Sequence, residues 1–172
     1  MSEFEVDSAE VTGGSPGTAV VITVSTRAAA GVYDDRSGPI IVDALRVLGF
    51  RVDEPVVVAD GPQVAAALQE AIAAEHPVII TTGGTGLNPH DRTPELTRPL
   101  LDREIPALAQ SIAAYGVALG VPTAVLSRGL AGTAGRSVIV NLPGSTGGAR
   151  DGMAVLGPVL GHAVSQLRGG DH

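Results

Sequence analysis

Short apolar runs alternate with amphipathic segments along most of the chain. The runs at 18–25, 50–59, 78–82 and 137–141 are rich in valine and isoleucine, so they predict buried strands. Segments with apolar residues at helical spacing begin near Pro39, Pro62, Pro94, Pro106 and Gly147. This alternation predicts an α/β fold: a three-layer sandwich with a mostly parallel central sheet and helices on both faces.

Several stretches have weaker or conflicting patterns. Pro55 lies inside the second run and predicts an edge position or a bulge, and Pro158 predicts an interruption in the last helix. Residues 26–38 predict a polar loop, residues 123–128 a short strand or turn, and residues 130–136 a glycine-rich exposed stretch. The buried stripe of the helix from Pro106 is predicted to consist of Leu108, Ile112, Tyr115 and Leu119.

Composition narrows the class of protein. The polar residues 1–17 predict a flexible N-terminal arm, which leaves residues 18–172 as a single α/β domain. The net charge of −7 disfavours non-specific binding to nucleic acid or to a membrane surface. No run approaches the ~20 apolar residues of a membrane span, and the acidic N-terminus is unlike a signal peptide. With no cysteine in the chain, these features predict a cytoplasmic protein without disulfides.

The polar stretch after the run at 78–82 is the strongest candidate for chemistry. Three glycines follow the run, and Thr93-Pro94-Glu95 has the composition of a helix start, with Thr93 as its cap. A strand, a glycine-rich loop and a helix N-terminus build anion sites from backbone amides, although a tight turn without a ligand is the alternative. The chain has no lysine, which excludes a Walker A loop. We call residues 83–93 the glycine loop.

Two aspartates lie just after predicted strands. Asp60 follows the run at 50–59, and Asp91 lies in the glycine loop. Carboxylates at the carboxyl ends of parallel strands suit a magnesium–phosphate site. As alternatives, Asp60 fits a helix N-cap, and Asp91 fits an Asx-turn or a cap. The arginines in or beside the loops are candidates for phosphate contacts or solvated surface positions, namely Arg27, Arg36, Arg92, Arg128 and Arg150.

The glycine loop and its flanks resemble the molybdopterin adenylyltransferase family, which includes bacterial enzymes of molybdenum cofactor biosynthesis and a domain of gephyrin. The resemblance rests on Thr81-Thr82-Gly83-Gly84-Thr85-Gly86, on Asp91 and on Thr93-Pro94-Glu95. It extends from residue 18 to the C-terminus through Ser25-Thr26-Arg27, Pro122-Thr123, Leu126-Ser127-Arg128 and Asn141-Leu142-Pro143-Gly144-Ser145. Thr26 stands where many members have aspartate, and His90 stands where many have arginine.

This resemblance implies an enzyme that transfers adenylate from Mg-ATP to molybdopterin and releases pyrophosphate. It implies that Asp60 and Asp91 are catalytic and bind magnesium. The substrate-binding residues that it implies are Ser25, Arg27, Thr82, Gly83, Gly84, Thr85, Gly86, Pro143, Gly144 and Ser145. It also implies a homotrimer and a separate protein that inserts molybdate downstream.

Two other functions stay open on the sequence. A non-catalytic paralogue would bind molybdopterin and pass it on without using ATP; the changes at Thr26 and His90 leave room for it, whereas the retained aspartates favour the enzyme. A generic phosphosugar or nucleotide hydrolase rests on the α/β pattern alone, and one fold hosts many functions.

Overall fold

The computed structural model describes residues 15–171, so most of the predicted arm at 1–17 lies outside the described residues. The strands are β1 (Thr18–Val24), β2 (Arg51–Val52), β3 (Val56–Val58), β4 (Val78–Thr82), β5 (Arg103–Glu104), β6 (Ala131–Ala134) and β7 (Ser137–Leu142). The helices are α1 (Thr26–Ala29), α2 (Ser37–Val47), α3 (Pro62–Ala73), α4 (Thr93–Thr97), α5 (Pro106–Ala118) and α6 (Thr146–Leu167). Short 3₁₀ helices lie at Arg98–Leu100 and Pro122–Leu126.

All of these strands belong to one sheet with the order β2–β1–β4–β7–β6–β5, and β3 pairs with β1 beside β2. The strands β1, β4 and β7 run parallel, and β2 and β3 are parallel to β1. The strands β5 and β6 are antiparallel to their neighbours. The carboxyl ends of β1, β3, β4 and β7 therefore meet at one edge of the sheet, which is where parallel sheets bind ligands.

The alternation of side chains along the strands divides the core into two layers. Val78 and Ile80 of β4 pack in one layer with Ile41 of α2 and with buried residues of α6. Ile79 faces the other side of the sheet, where it packs in a layer with Leu68 of α3. Helices thus cover both faces of the sheet, and the predicted three-layer α/β fold with a mostly parallel sheet is confirmed.

Several elements differ from the prediction. The run at 50–59 forms two short strands, β2 and β3, because Pro55 between them cannot donate a ladder hydrogen bond. The stretch 26–38, predicted as a loop, contains the single turn α1, in which the Ser25 hydroxyl accepts a hydrogen bond from Ala28 N. Residues 123–128, predicted as a strand or turn, lie mostly in the 3₁₀ helix Pro122–Leu126.

The prediction of an exposed stretch at 130–136 is wrong, because β6 is part of the sheet. Ala131 and Ala134 are buried, and β6 pairs with β7. The strands are crowded here: a Cβ atom on Gly132 would lie 2.4 Å from the carbonyl oxygen of Arg103 in β5. Small residues make this pairing possible, but they also give β6 no apolar pattern that sequence analysis could detect.

The predicted interruption of α6 is also wrong. Pro158 cannot donate to the carbonyl of Ala154, but both residues are exposed, so water can satisfy that group. Leu156 and Leu160 are fully buried and hold the helix on the sheet on either side of the proline. Neither α6 nor any other helix within residues 15–171 has the length and apolar character needed to cross a membrane.

The stripe predicted for α5 is correct only in part. Ile112 is buried in the core, and Leu108 is partly buried against it. Tyr115 and Leu119 are 39% and 59% exposed, so their prediction as buried residues is wrong for a single chain.

A buried asparagine ties the carboxyl half of β7 to its neighbours. Asn141 Nδ2 donates to Thr81 Oγ1 (2.9 Å) and to Thr97 Oγ1 (3.1 Å), and its Oδ1 accepts from Leu130 N (3.0 Å). These bonds join β7 to β4, to α4 and to the segment that leads into β6. A buried polar group of this kind is stabilising only while its partners remain in place.

We expect Asn141→Leu to lower the free energy of unfolding by about 1–3 kcal/mol, because it leaves the partly buried Leu130 N–H without an acceptor. Urea unfolding should show a lower midpoint with an unchanged slope. Thr133→Val on the neighbouring β6 is the control and should change stability by less than about 0.5 kcal/mol. Equal effects of the two substitutions would contradict the role given to Asn141.

Candidate functional site

An open cleft of about 950 Å³ lies at the edge where the parallel strands end. Its walls come from the segments that follow β1, β3, β4 and β7 and from the loop that precedes α2. The predicted site residues that line it are Ser25, Arg27, Asp60, Thr82, Gly83, Gly84, Asp91 and Gly144. The strand ends therefore bring together residues that are far apart in the sequence, as the parallel topology predicts.

Gly83 has the most restricted position in the cleft. Its φ is +100°, and a Cβ atom there would lie 2.2 Å from the carbonyl oxygen of Val24 at the end of β1. Its N–H donates to Leu142 O (3.0 Å) at the end of β7. Both the backbone angle and the close approach require glycine, because an L-residue would be strained and would clash.

The backbone amides that follow Gly83 are free of protein acceptors. Within residues 15–171, the N–H groups of Gly84, Thr85 and Gly86 donate no hydrogen bond to the protein. Gly84 lines the cleft, as does Thr146, the first residue of the long helix α6. Unpaired amides and a helix N-terminus both favour an anion, so this side of the cleft suits a phosphate group.

The Asp60 carboxylate is held at the cleft by a neighbouring strand end. Thr26 Oγ1 donates to Asp60 Oδ2 (2.8 Å), and the N–H of Asp60 donates back to Thr26 Oγ1 (3.2 Å). The N-cap alternative for Asp60 is wrong, because Gly61 is the N-cap of α3 and no side chain caps that helix. The second carboxylate oxygen of Asp60 has no protein donor in the described part of the chain, which leaves it available to a ligand or cation.

The Asp91 carboxylate lies in the same cleft and also stabilises the glycine loop. Asp91 Oδ2 accepts from Asn88 N (3.2 Å), and the Asp91 N–H donates to Asn88 O (2.8 Å). Residues 88–91 thus form a β-turn, and Asp91 makes neither the Asx-turn nor the helix cap that were the alternatives. The other oxygen of its carboxylate has no donor among residues 15–171. Thr93 is not the predicted cap, because its hydroxyl donates to Gly83 O (3.0 Å) instead.

The remaining predicted residues, Thr85, Gly86, Pro143 and Ser145, do not line the cleft. Thr85 is buried, and its hydroxyl accepts from Ser127 Oγ (3.2 Å). Ser145 caps α6 through Gly148 N (3.0 Å), and Pro143 O accepts from Thr82 Oγ1 (2.8 Å). The hydrogen bonds of Thr85, Pro143 and Ser145 hold segments next to the cleft, and contact of these residues with a substrate stays a prediction.

Further residues line the cleft, and two of them, Tyr33 and Asp35, were given no role from the sequence. Arg36 and His90 line it beside the predicted Arg27. Tyr33 lines it too, 50% exposed, with its hydroxyl 2.8 Å from Ser25 Oγ. Asp35 accepts hydrogen bonds from Thr23 Oγ1 (2.7 Å) and Gly38 N (3.0 Å), so it fixes the start of α2. The scarcity of aromatic residues, 2% of the chain, could have drawn attention to a tyrosine in a polar loop.

Arg128 differs from the other candidate arginines because each of its three guanidinium nitrogens donates a hydrogen bond to the protein. Its guanidinium donates to Gly86 O, to Asp91 O and to the carboxylate of Glu95. The hydrogen bond from Arg128 is the main reason that the pKa of Glu95 is below its usual range. Arg128 is therefore not available as a phosphate contact, whereas Arg27 and Arg36 face the cleft.

Comparison with known proteins agrees with this geometry. The family model described as "Probable molybdopterin binding domain" matches residues 20–162, which include all the predicted site residues. The chain belongs to this family. The resemblance drawn from the glycine loop is thereby confirmed.

Individual relatives support the same membership. The molybdopterin adenylyltransferase of Pyrococcus furiosus is 36% identical over 155 residues, which are 86% of this chain and 89% of the relative. The molybdenum cofactor biosynthesis bifunctional protein of Synechococcus elongatus is 40% identical over 90% of this chain. The chain spans about half the length of the curated bifunctional relatives that it matches. The solved Mog protein of Mycobacterium ulcerans has a TM-score of 0.83 and 53% identity, and the match covers 87% of this chain and 98% of that one.

The close packing at Gly83 generates a prediction for this member of the molybdopterin-binding family. Gly83→Ala should lower the free energy of unfolding by about 2–4 kcal/mol, because it combines positive-φ strain with a backbone clash. Gly147→Ala is the matched control, since no atom lies within 4 Å of its added Cβ and it lies in the first turn of α6. That control should leave stability unchanged or raise it by up to about 1 kcal/mol. Thermal and urea unfolding of both variants would test this difference.

Proposed function

We propose that this protein transfers the adenylyl group of Mg-ATP to the terminal phosphate of molybdopterin. The observation that carries the proposal is that one cleft combines two half-buried carboxylates, Asp60 and Asp91, with the acceptor-free amide of Gly84 and the N-terminus of α6. The amides suit the phosphate of the pterin, and the carboxylates suit a magnesium-bound triphosphate. The family membership and the relative named molybdopterin adenylyltransferase support the same reaction.

The proposed reaction places few demands on side-chain chemistry. An oxygen of the molybdopterin phosphate attacks the α-phosphorus of ATP, a new P–O–P linkage forms, and the bond to pyrophosphate breaks. The attacking phosphate is already an anion, so no strong general base is needed. Catalysis then depends on holding two anionic groups in line and on offsetting their charge, for which the cleft provides amides, Arg27 and Arg36.

Magnesium fits the donor set of this cleft. Among residues 15–171, no three His, Cys, Asp or Glu side chains gather as they would around a protein-only metal site. Magnesium is commonly held by one or two carboxylates, with substrate phosphates and water as its other ligands, and Asp60 and Asp91 match that pattern. Magnesium bound there would offset the charge that develops on the α-phosphate and on the departing pyrophosphate.

The alternative function is a carrier that binds molybdopterin without using ATP. Thr26 and His90 both line the cleft and both depart from the pattern of many family members. The Thr26 hydroxyl nevertheless holds Asp60 in place through a 2.8 Å hydrogen bond, which favours the enzyme. A generic hydrolase finds no added support, because the cleft arrangement is explained by the family reaction.

The proposal includes the location and the partners of the protein. We propose that it works in the cytoplasm, that it passes adenylylated molybdopterin to a separate molybdate-insertion protein, and that it binds neither nucleic acid nor membrane. The net charge of −7 and the absence of cysteine support this setting.

The first experiment is to incubate the purified protein with molybdopterin and Mg-ATP. Mass spectrometry should detect adenylylated molybdopterin, with release of pyrophosphate in equal amount. Asp60→Ala and Asp91→Ala should each lower turnover by at least about 100-fold, because each removes a charge that orients the reacting phosphates. Their thermal unfolding should be close to that of the unchanged protein.

Glu54→Ala serves as the control for this experiment, since Glu54 is an exposed carboxylate outside the cleft. Full activity of both aspartate variants would show that these carboxylates are wrongly assigned. Bound but unmodified molybdopterin, with no heat on titration of Mg-ATP, would favour the carrier.

We further propose that the protein is a homotrimer, assembled through an apolar surface on α5 and the segment after it. Its exposed residues are Tyr115, Val117, Leu119, Val121, Val125 and Leu126. A cluster of large apolar side chains is costly to leave in water and is typical of an interface between copies. The family resemblance supports three copies.

Sedimentation should give three times the chain mass of 17.3 kDa. Leu119→Asp and Val125→Asp should each dissociate the assembly, because a charge in an apolar interface is poorly solvated. Val47→Asp is the control, since Val47 is 86% exposed on α2, away from this surface. A stable monomer of the unchanged chain would contradict the proposal.

A further inference from the structure

Arg128 lies outside the cleft lining, yet its side chain joins the two ends of one segment of the glycine loop. Its Nε donates to Gly86 O (2.9 Å), and its Nη2 donates to Asp91 O (2.7 Å). The N–H of Arg128 also donates to Thr85 O (2.8 Å), and Ser127 Oγ donates to Thr85 Oγ1 (3.2 Å). A segment about 40 residues away in sequence thus holds the base of the loop.

The guanidinium is itself oriented by α4. Its Nη1 donates to the carboxylate of Glu95, which follows the glycine loop in sequence. The planar group therefore contacts both ends of the segment 86–91 and the helix α4 that follows the glycine loop. Lysine could not replace these contacts, because an ammonium group is a single point and lacks the fixed fork of donors.

The rest of this segment has only local hydrogen bonds. Within the described chain, the other hydrogen bonds of residues 86–91 join Asn88 to His90 and to Asp91. Leu87 is 67% exposed, and residues 88–90 are exposed as well. The contacts of Arg128 are therefore the hydrogen bonds that attach this segment to the remainder of the protein.

We propose that Arg128 is a positioning residue for Asp91: it closes the base of residues 86–91 and thereby fixes the direction of the Asp91 carboxylate in the cleft. This inference rests on the proposed function insofar as Asp91 acts on the magnesium-bound triphosphate. The structural part, that Arg128 holds the loop, can be tested without any substrate.

The structural part is tested by amide hydrogen exchange of the substrate-free protein. In Arg128→Gln, the hydrogen-bonded amides of Asn88, His90 and Asp91 should exchange at least about tenfold faster, because loss of the two bonds to the carbonyls of Gly86 and Asp91 lets the segment open more often. Peptides covering β4 should exchange at the original rate, which shows that the fold is intact. Arg98→Gln is the matched control, because Arg98 is 61% exposed and pairs with Glu104 away from the glycine loop.

The functional part is tested by steady-state kinetics of adenylyl transfer. Arg128→Gln should lower kcat by about 10- to 100-fold, as expected for a misplaced reacting group, with a smaller change in KM for molybdopterin. Arg128→Lys should recover only a small part of kcat. In Arg128→Ala, guanidinium ion at a concentration below that which denatures the protein should restore activity, whereas it should not restore Asp91→Ala.

The outcomes separate this inference from the proposed function. Unchanged exchange in residues 86–91 of Arg128→Gln would overturn the inference, whatever the activity of the protein. Faster exchange with unchanged kcat would overturn the link to Asp91. If the unsubstituted protein shows no adenylyl transfer, the proposed function is contradicted. The exchange result would still decide whether Arg128 holds the segment 86–91. If Arg128→Gln does not fold, Arg128→Lys carries the same exchange test.

Discussion

The close approach of three strand ends at Gly83 is the constraint on which the cleft depends. The Gly83 N–H bonds to Leu142 O at the end of β7, and its Cα faces Val24 O at the end of β1 too closely for any side chain. Because Gly83 takes this last bond to the neighbouring strand, the next amides have no strand partner and remain open. The same packing that closes the sheet thus creates the anion-binding character of its edge.

The topology explains why the position of the site could be predicted from the sequence. Parallel strands bring their carboxyl ends to one edge, so Asp60 and Asp91 were expected to meet although 31 positions separate them. The central strands could also be predicted, because a parallel strand that is buried on both faces has few polar residues and appears as a continuous apolar run. The strands β5 and β6 could not be predicted, because two charged residues and four small ones carry no periodic apolar signal.

Contacts between distant side chains set a second limit on prediction. The sequence identifies Arg128 as an arginine beside a loop, which leaves a phosphate contact and a solvated surface position as its alternatives. In the structure its guanidinium donates hydrogen bonds to Gly86, Asp91 and Glu95, and its charge is paired with the Glu95 carboxylate. Similarly, Thr85 and Ser145 fit the family motif, but their hydroxyls bond to Ser127 and to the start of α6. Motif membership therefore locates the site, whereas only the geometry separates cleft residues from supporting ones.

The two departures from the family pattern have opposite effects on the charge of the cleft. Threonine in place of aspartate at position 26 removes one negative charge, and histidine in place of arginine at position 90 removes the permanent positive charge of a guanidinium. Both residues line the cleft, so both departures change the charge that a ligand there would meet. An aspartate at position 26 would face Asp60 as a like charge at hydrogen-bond distance, whereas the Thr26 hydroxyl donates a hydrogen bond to it. Threonine at position 26 thus holds the Asp60 carboxylate in the cleft wall without placing a second carboxylate beside it.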